Sequence, residues 1–226
     1  MDTVTLIVKC PHCGAEKKVA SSKEKWYNLH YTFWSDSRIE SDEFCEPGHT
    51  QQCPACGKFF CIPSLKTLQS SDEPCNETGS LPLDTLKQAI IELSGDERAE
   101  EWARLEAWWA FNSMYKNTDV ITEEEQAYNR ANMEWLAAYY TSHITRFSHL
   151  LFELNRLLGN LDACQKMIDD LTYEEYVRQR EEKNKERGFV SQLDEKYVRE
   201  RYDSLIKELK FAMKQPLKPF IKSKFS

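Results

Sequence analysis

The apolar positions change period about a third of the way along the chain. In the first part Tyr27, Leu29, Tyr31 and Phe33 alternate with Asn28, His30 and Thr32, the period of two expected of a half-buried strand. Ser35-Asp36-Ser37 reads as a turn, and 58–62 as a short strand stopped by Pro63. From Leu83 the spacing becomes three and four. Leu83, Leu86, Ile90 and Leu93 form one helical stripe, which Gly95 is expected to cap. Asp96 opens a second helix carrying Ala99, Trp102, Leu105 and Trp109. Thr122 opens a third, with Glu123 to Glu125 at its positive end and a break near Thr141-Ser142. Further helices are expected over 144–158, over 160–171 and from Thr172, where Glu175 completes a capping box. A last one covers about 193–213, before Pro216 and Pro219.

Residues 69–82 are turn formers without apolar period. The pattern therefore predicts an α+β chain: a small antiparallel sheet in 1–68, a linker in 69–82, and an α-helical bundle or helical-hairpin domain in 83–226. Composition sharpens this division. Seven of the eight Cys lie before residue 76 and four of the six Trp after residue 100. An apolar content of 41% supports a real core, and only seven Gly count against a loop-rich sandwich or a nucleotide-cradling enzyme. The net charge of −7 disfavours general nucleic-acid binding. No apolar stretch reaches the roughly 18 residues of a membrane span.

The cysteines carry the strongest chemical signal. Cys10-Pro11-His12-Cys13-Gly14 and Cys53-Pro54-Ala55-Cys56-Gly57 are two matching knuckles. A two-residue gap lets both sulfurs of a pair face one tetrahedral ion, and a following Gly can take the left-handed conformation that closes the turn. Two pairs supply four thiolates, so Cys10, Cys13, Cys53 and Cys56 are expected to hold one structural Zn²⁺ with no position left for substrate. Four disulfides, with Asn76-Glu77-Thr78 as a glycosylation site, would suit a secreted chain. The start, 1–9, lacks an export signal, however, and a reducing, cytoplasmic setting with metal-bound thiols is the expectation.

These knuckles resemble those of rubredoxin-type zinc ribbons. More narrowly, Trp34-Ser35-Asp36-Ser37-Arg38 with 52–60 is similar to a group of uncharacterised bacterial proteins in which a Trp-Ser-Asp-Gly segment and such a knuckle precede an α-helical tail. Here Ser37 stands where that group often has Gly. The resemblance covers the first 65 or so residues; it implies a zinc site in a bacterial cytosolic protein and no known activity. Gly159, Leu161, Cys164 and Ile168 also sit at the spacing of a tetratricopeptide hairpin, although no 34-residue repeat accompanies them.

Other candidates are weaker. His12 could replace a cysteine ligand, and His49, Cys45 and Cys61 lie near the second knuckle, but four thiolates already complete a site. His143 and His149 are six residues apart, so one helix face does not carry both. None of the common catalytic motifs occurs. Trp108 and Trp109 point about 100° apart on a helix, which makes them candidates for lining a partner-binding groove. Six lysines, from Lys207 to Lys224, give a basic tail. Residues 1–62 hold seven Lys and Arg against eight Asp and Glu, and four thiolates on Zn²⁺ add −2. The expectation is a non-enzymatic adaptor that binds an unidentified protein or peptide. The alternatives are a nucleic-acid-binding ribbon and an enzyme whose site is assembled from scattered residues.

Overall fold

A computed structural model of the chain describes residues 3–22, 31–36, 39–40, 48–62, 69–71, 81–116, 121–144, 146–186, 194–219 and 221–225. Cys45, Cys75, Ser37, Arg38 and residues 27–30 of the expected first strand lie outside the described residues.

The architecture is α+β. Strands β1 (Thr3–Lys9) and β2 (Glu16–Ser22) form an antiparallel hairpin with Lys9 opposite Glu16. In 3–9, Thr and Val outnumber everything else, and side chains branched at Cβ favour the extended backbone. A third strand, β7 (Gln69–Ser71), pairs with β1. The first residues of the expected linker therefore belong to this sheet. A second hairpin joins β5 (Thr50–Gln52) to β6 (Phe59–Cys61), with Gln52 opposite Phe59.

Strands β3 (Tyr31–Trp34) and β4 (Ile39–Glu40) make another antiparallel pair. Their sheet is completed by β8 (Ile221–Phe225), so the chain returns from the helices to the N-terminal part. The expected helical domain over 83–226 thus contributes a strand to the sheet region. Alternation in Ile221-Lys222-Ser223-Lys224-Phe225 was the available sign, masked by its lysines.

Among the described residues seven helices follow: α1 (Leu83–Leu93), α2 (Glu97–Lys116), α3 (Glu123–His143), α4 (His149–Leu157), α5 (Leu161–Asp170), α6 (Tyr173–Glu186) and α7 (Glu195–Ala212). Their ends have local causes. Asp96 Oδ1 accepts from the N–H groups of Arg98 and Ala99, both at 3.1 Å. Thr122 and Glu125 form a reciprocal capping box on α3. Gly159 (φ +79°) stops α4: its N–H donates to Arg156 O and that of Asn160 to Asn155 O, at 3.0 and 2.8 Å. Gly95, expected to cap α1 in the same way, is not among the glycines at positive φ; Ser94 ends the helix in ordinary αR geometry.

The helical core centres on Leu105, Trp108, Met133, Leu136, Tyr140, Leu154 and Leu158, shared by α2, α3 and α4. A second cluster joins Phe152 to Cys164 and Ile168 of α5 and Leu209 of α7. Among the described residues no helix is long and apolar enough to cross a membrane.

Candidate metal centre

Each knuckle is the turn of a β-hairpin. In the first, Cys10 N–H donates to Ala15 O and Gly14 N–H to Cys10 O; in the second, Cys53 N–H donates to Lys58 O and Gly57 N–H to Cys53 O, all at 2.9 Å. Gly14 and Gly57 have φ of +75° and +73°. A side chain there would meet nothing within 4 Å, so glycine is required by backbone conformation and not by space. Two hydrogen bonds tie the hairpins together: His12 Nε2 lies 3.1 Å from Phe59 O, and Lys17 Nζ donates to Gln52 O at 3.1 Å. His12 is thereby engaged with a carbonyl, outside the sulfur cluster.

The pairing brings the four predicted sulfurs within 4.8 Å of one another. Cys10 Sγ is 3.7 Å from Cys56 Sγ, and Cys13 Sγ is 3.6 Å from Cys53 Sγ. A tetrahedron of sulfurs with metal bonds of about 2.3 Å has an edge of about 3.8 Å. The cluster therefore has the dimensions of a four-thiolate metal site. Cys10 and Cys53 are buried in the ribbon core with Val8, Val19, Phe60 and Ile62, while Cys13 and Cys56 face solvent.

Proton sharing points the same way. The backbone N–H of Cys56, and then that of Ala55, draw the Cys53 thiol down to about 6 against the effect of burial. At Cys13 the N–H of Ala15 favours the thiolate, but the Cys53 sulfur, burial and the two remaining sulfurs push it up to about 12. Four thiolates at this spacing repel one another, and a divalent cation removes the conflict by replacing the protons. Soft sulfur donors in a tetrahedral group suit zinc. Among the described residues, these four cysteines are the group placed to hold a metal ion.

The centre is built into the rest of the molecule through β6, which is buried on both faces. Phe60 packs beside the cysteines, while its neighbour Phe59 enters a cluster with Leu86, Ala89 and Ile90 of α1 and Ala103 and Ala107 of α2. A residue the sequence did not single out fixes β5. Glu106 on α2 accepts backbone N–H groups from His49 and, at 3.1 Å, from Thr50. The His49 ring stacks on Trp102, one turn before Glu106, with centroids 3.9 Å apart. His49 therefore serves this junction, away from the sulfurs. In a helix with five other carboxylates and arginines around it, nothing in the spacing marked Glu106.

The Ser35-Asp36 turn is buried against the helices. Asp36 Oδ2 accepts from Asn112 Nδ2 at 2.7 Å, and its carbonyl accepts from Trp109 Nε1 at 3.1 Å. Ser35 Oγ donates to Glu153 Oε1 at 2.5 Å, and Glu153 holds Arg156 through two bonds of 2.7 Å. Both partners of that pair are buried. Trp108 is wholly buried in the helical core, which corrects its assignment to a partner-binding groove. Leu136 and Tyr140 of α3 and Leu154 of α4 cover the face it presents, so that face of α2 is core. Trp109 stays half-buried, with its N–H engaged by Asp36. Cys61 and Cys164 are buried away from the metal cluster.

No protein-family model matches the chain, and comparison with curated proteins and with solved structures gave no match.

Proposed function

We propose that this chain is a non-enzymatic, cytoplasmic interaction protein, in which one structural Zn²⁺ stabilises a ribbon docked on a helical domain that binds another protein or peptide. The observation that carries the reading is the four-sulfur cluster joined to the helical core by β6, Phe60 on one side and Phe59 on the other. Four thiolates complete the zinc shell, and the ion then supplies folding energy and not chemistry. The partner surface proposed here lies on α3. Trp135 and Tyr139 stack 5.2 Å apart at 8°, Tyr139 and His143 4.2 Å apart at 23°, and the Arg104 guanidinium lies 4.5 Å over Trp135. Rigid, partly exposed aromatic side chains lose little entropy on binding and act as anchors at protein interfaces.

The test is recovery of a stoichiometric partner from the source cells by the tagged, zinc-loaded chain, beside a Tyr139→Glu chain and a chelated one. The proposal expects one partner held by the loaded chain and released by the substitution. Absence of any stoichiometric partner, or equal retention by the Tyr139→Glu chain, would overturn the assignment.

A further inference from the structure

Arg104, Arg130, Arg146, Arg156 and Arg178 each form an ion pair with a carboxylate. Arg180 on α6 and Arg201 on α7 form none among the described residues, and both engage tyrosine instead. Arg201 Nε donates to Tyr197 Oη at 3.0 Å, and Arg180 Nη1 to Tyr176 Oη at 3.2 Å. The Arg180 guanidinium also lies 5.8 Å from the centre of the Tyr197 ring, and that of Arg201 5.4 Å. Two cations from different helices therefore converge on one phenol, which is 47% exposed.

Like charges brought together repel, and here no protein anion answers them. Arg201, and to a lesser degree Arg180, hold the Tyr197 hydroxyl below its usual value. The groups that act on Arg201 are the hydroxyls of Tyr197 and Tyr176, with no carboxylate among them. Glu175 and Glu182 of α6 are both taken by Arg178. Beyond these tyrosine hydroxyls, the N–H groups of Arg180 and Arg201 have no acceptor among the described residues. The hydrogen bonds and ring contacts hold both guanidiniums in place before any ligand arrives, which lowers the entropy lost on binding.

Charge selects the ligand. A carboxylate or a phosphate diester carries one negative charge and leaves one guanidinium unmatched. A free or singly esterified phosphoryl group carries close to two near neutral pH and offers three acceptor oxygens. Planar guanidinium forks match those oxygens, and the phenol O–H supplies a further donor.

We propose that Arg180, Tyr197 and Arg201 bind a phosphoryl dianion, as free phosphate or as a phosphate monoester. The site is separate from the metal centre and from the aromatic face of α3.

The test is an NMR titration of the full, zinc-loaded chain at low ionic strength with phenyl phosphate and, separately, with phenyl sulfate, which has the same shape and one charge fewer. Phenyl phosphate should give saturable shifts at the Arg201 Nε–H and at Tyr197. It should bind about 2- to 5-fold tighter than the sulfate, the worth of one more exposed ion pair. Arg201→Gln and Arg180→Gln should each abolish that preference. Arg199→Gln should leave it unchanged, because Arg199 lies over Tyr173, 3.3 Å from the ring centre, and adds positive charge to α7 without belonging to the site. Inorganic phosphate in a third titration separates the two sources: affinity equal to that of phenyl phosphate assigns the free anion, and weaker binding assigns the ester. Absence of saturable shifts, equal affinity for phenyl phosphate and phenyl sulfate, or a loss on Arg199→Gln as large as on Arg201→Gln would each overturn the proposal.

Discussion

Gly57 shows how much one residue contributes to the centre. Its φ of +73° belongs to the left-handed region, and the space around a Cβ there is open. Gly57→Ala should therefore cost only backbone strain, roughly 1–2 kcal/mol in chemical denaturation; a loss well beyond that would mean the site is packed more tightly than this geometry. The knuckles were legible because a metal-binding turn is a local object: spacing, Pro and Gly all lie within five residues. Glu106 and Arg156 were not, because each sits in a helix rich in polar residues and takes its role from a partner far along the chain. Cys164 was legible as core from its apolar stripe, and burial pushes its thiol up to about 11. A thiol raised from 9 favours the neutral form in the folded state, so its contribution is intact below pH 9 and is lost as pH climbs from 9 towards 11. The loss is on the order of 2–3 kcal/mol. Cys164→Ala should begin less stable but lack this part of the alkaline decline; identical pH slopes for the two chains would contradict the assignment.

Among the elements, β6 matters most for its length. Three residues put Phe60 in the ribbon core and Phe59 in the helical one, the consequence of side chains alternating across a strand. Loss of metal should therefore be felt by α1 and α2 as well as by the hairpins. The Glu106 contact with the start of β5 is the second joint. Glu106→Ala leaves the His49 and Thr50 N–H groups without their acceptor and should cost about 1–3 kcal/mol. Unchanged stability in a denaturant titration would remove Glu106 from the junction. Helix positions were read well where capping was local, as at Asp96, Thr122 and Gly159. The strand at the end of the chain was missed because pairing with β3 is a contact between residues nearly two hundred apart, and the lysines there read as a solvated tail.

Over the whole molecule, charge and metal set the expectations. With a net charge of −7, the chain should show no salt-sensitive affinity for duplex DNA at physiological ionic strength. Tight binding that weakens steeply with added salt, seen in a fluorescence-anisotropy titration, would favour the nucleic-acid reading over the adaptor. The central claim is that two hairpin turns from distant parts of the sequence converge on one ion and thereby hold the ribbon on the helices. X-ray absorption at the zinc edge of the purified chain, with its metal content measured alongside, tests this most directly. The structure predicts one zinc per chain surrounded by four sulfurs at about 2.3 Å. A chain without stoichiometric zinc, or a shell in which nitrogen or oxygen replaces one of the four sulfurs, would contradict it.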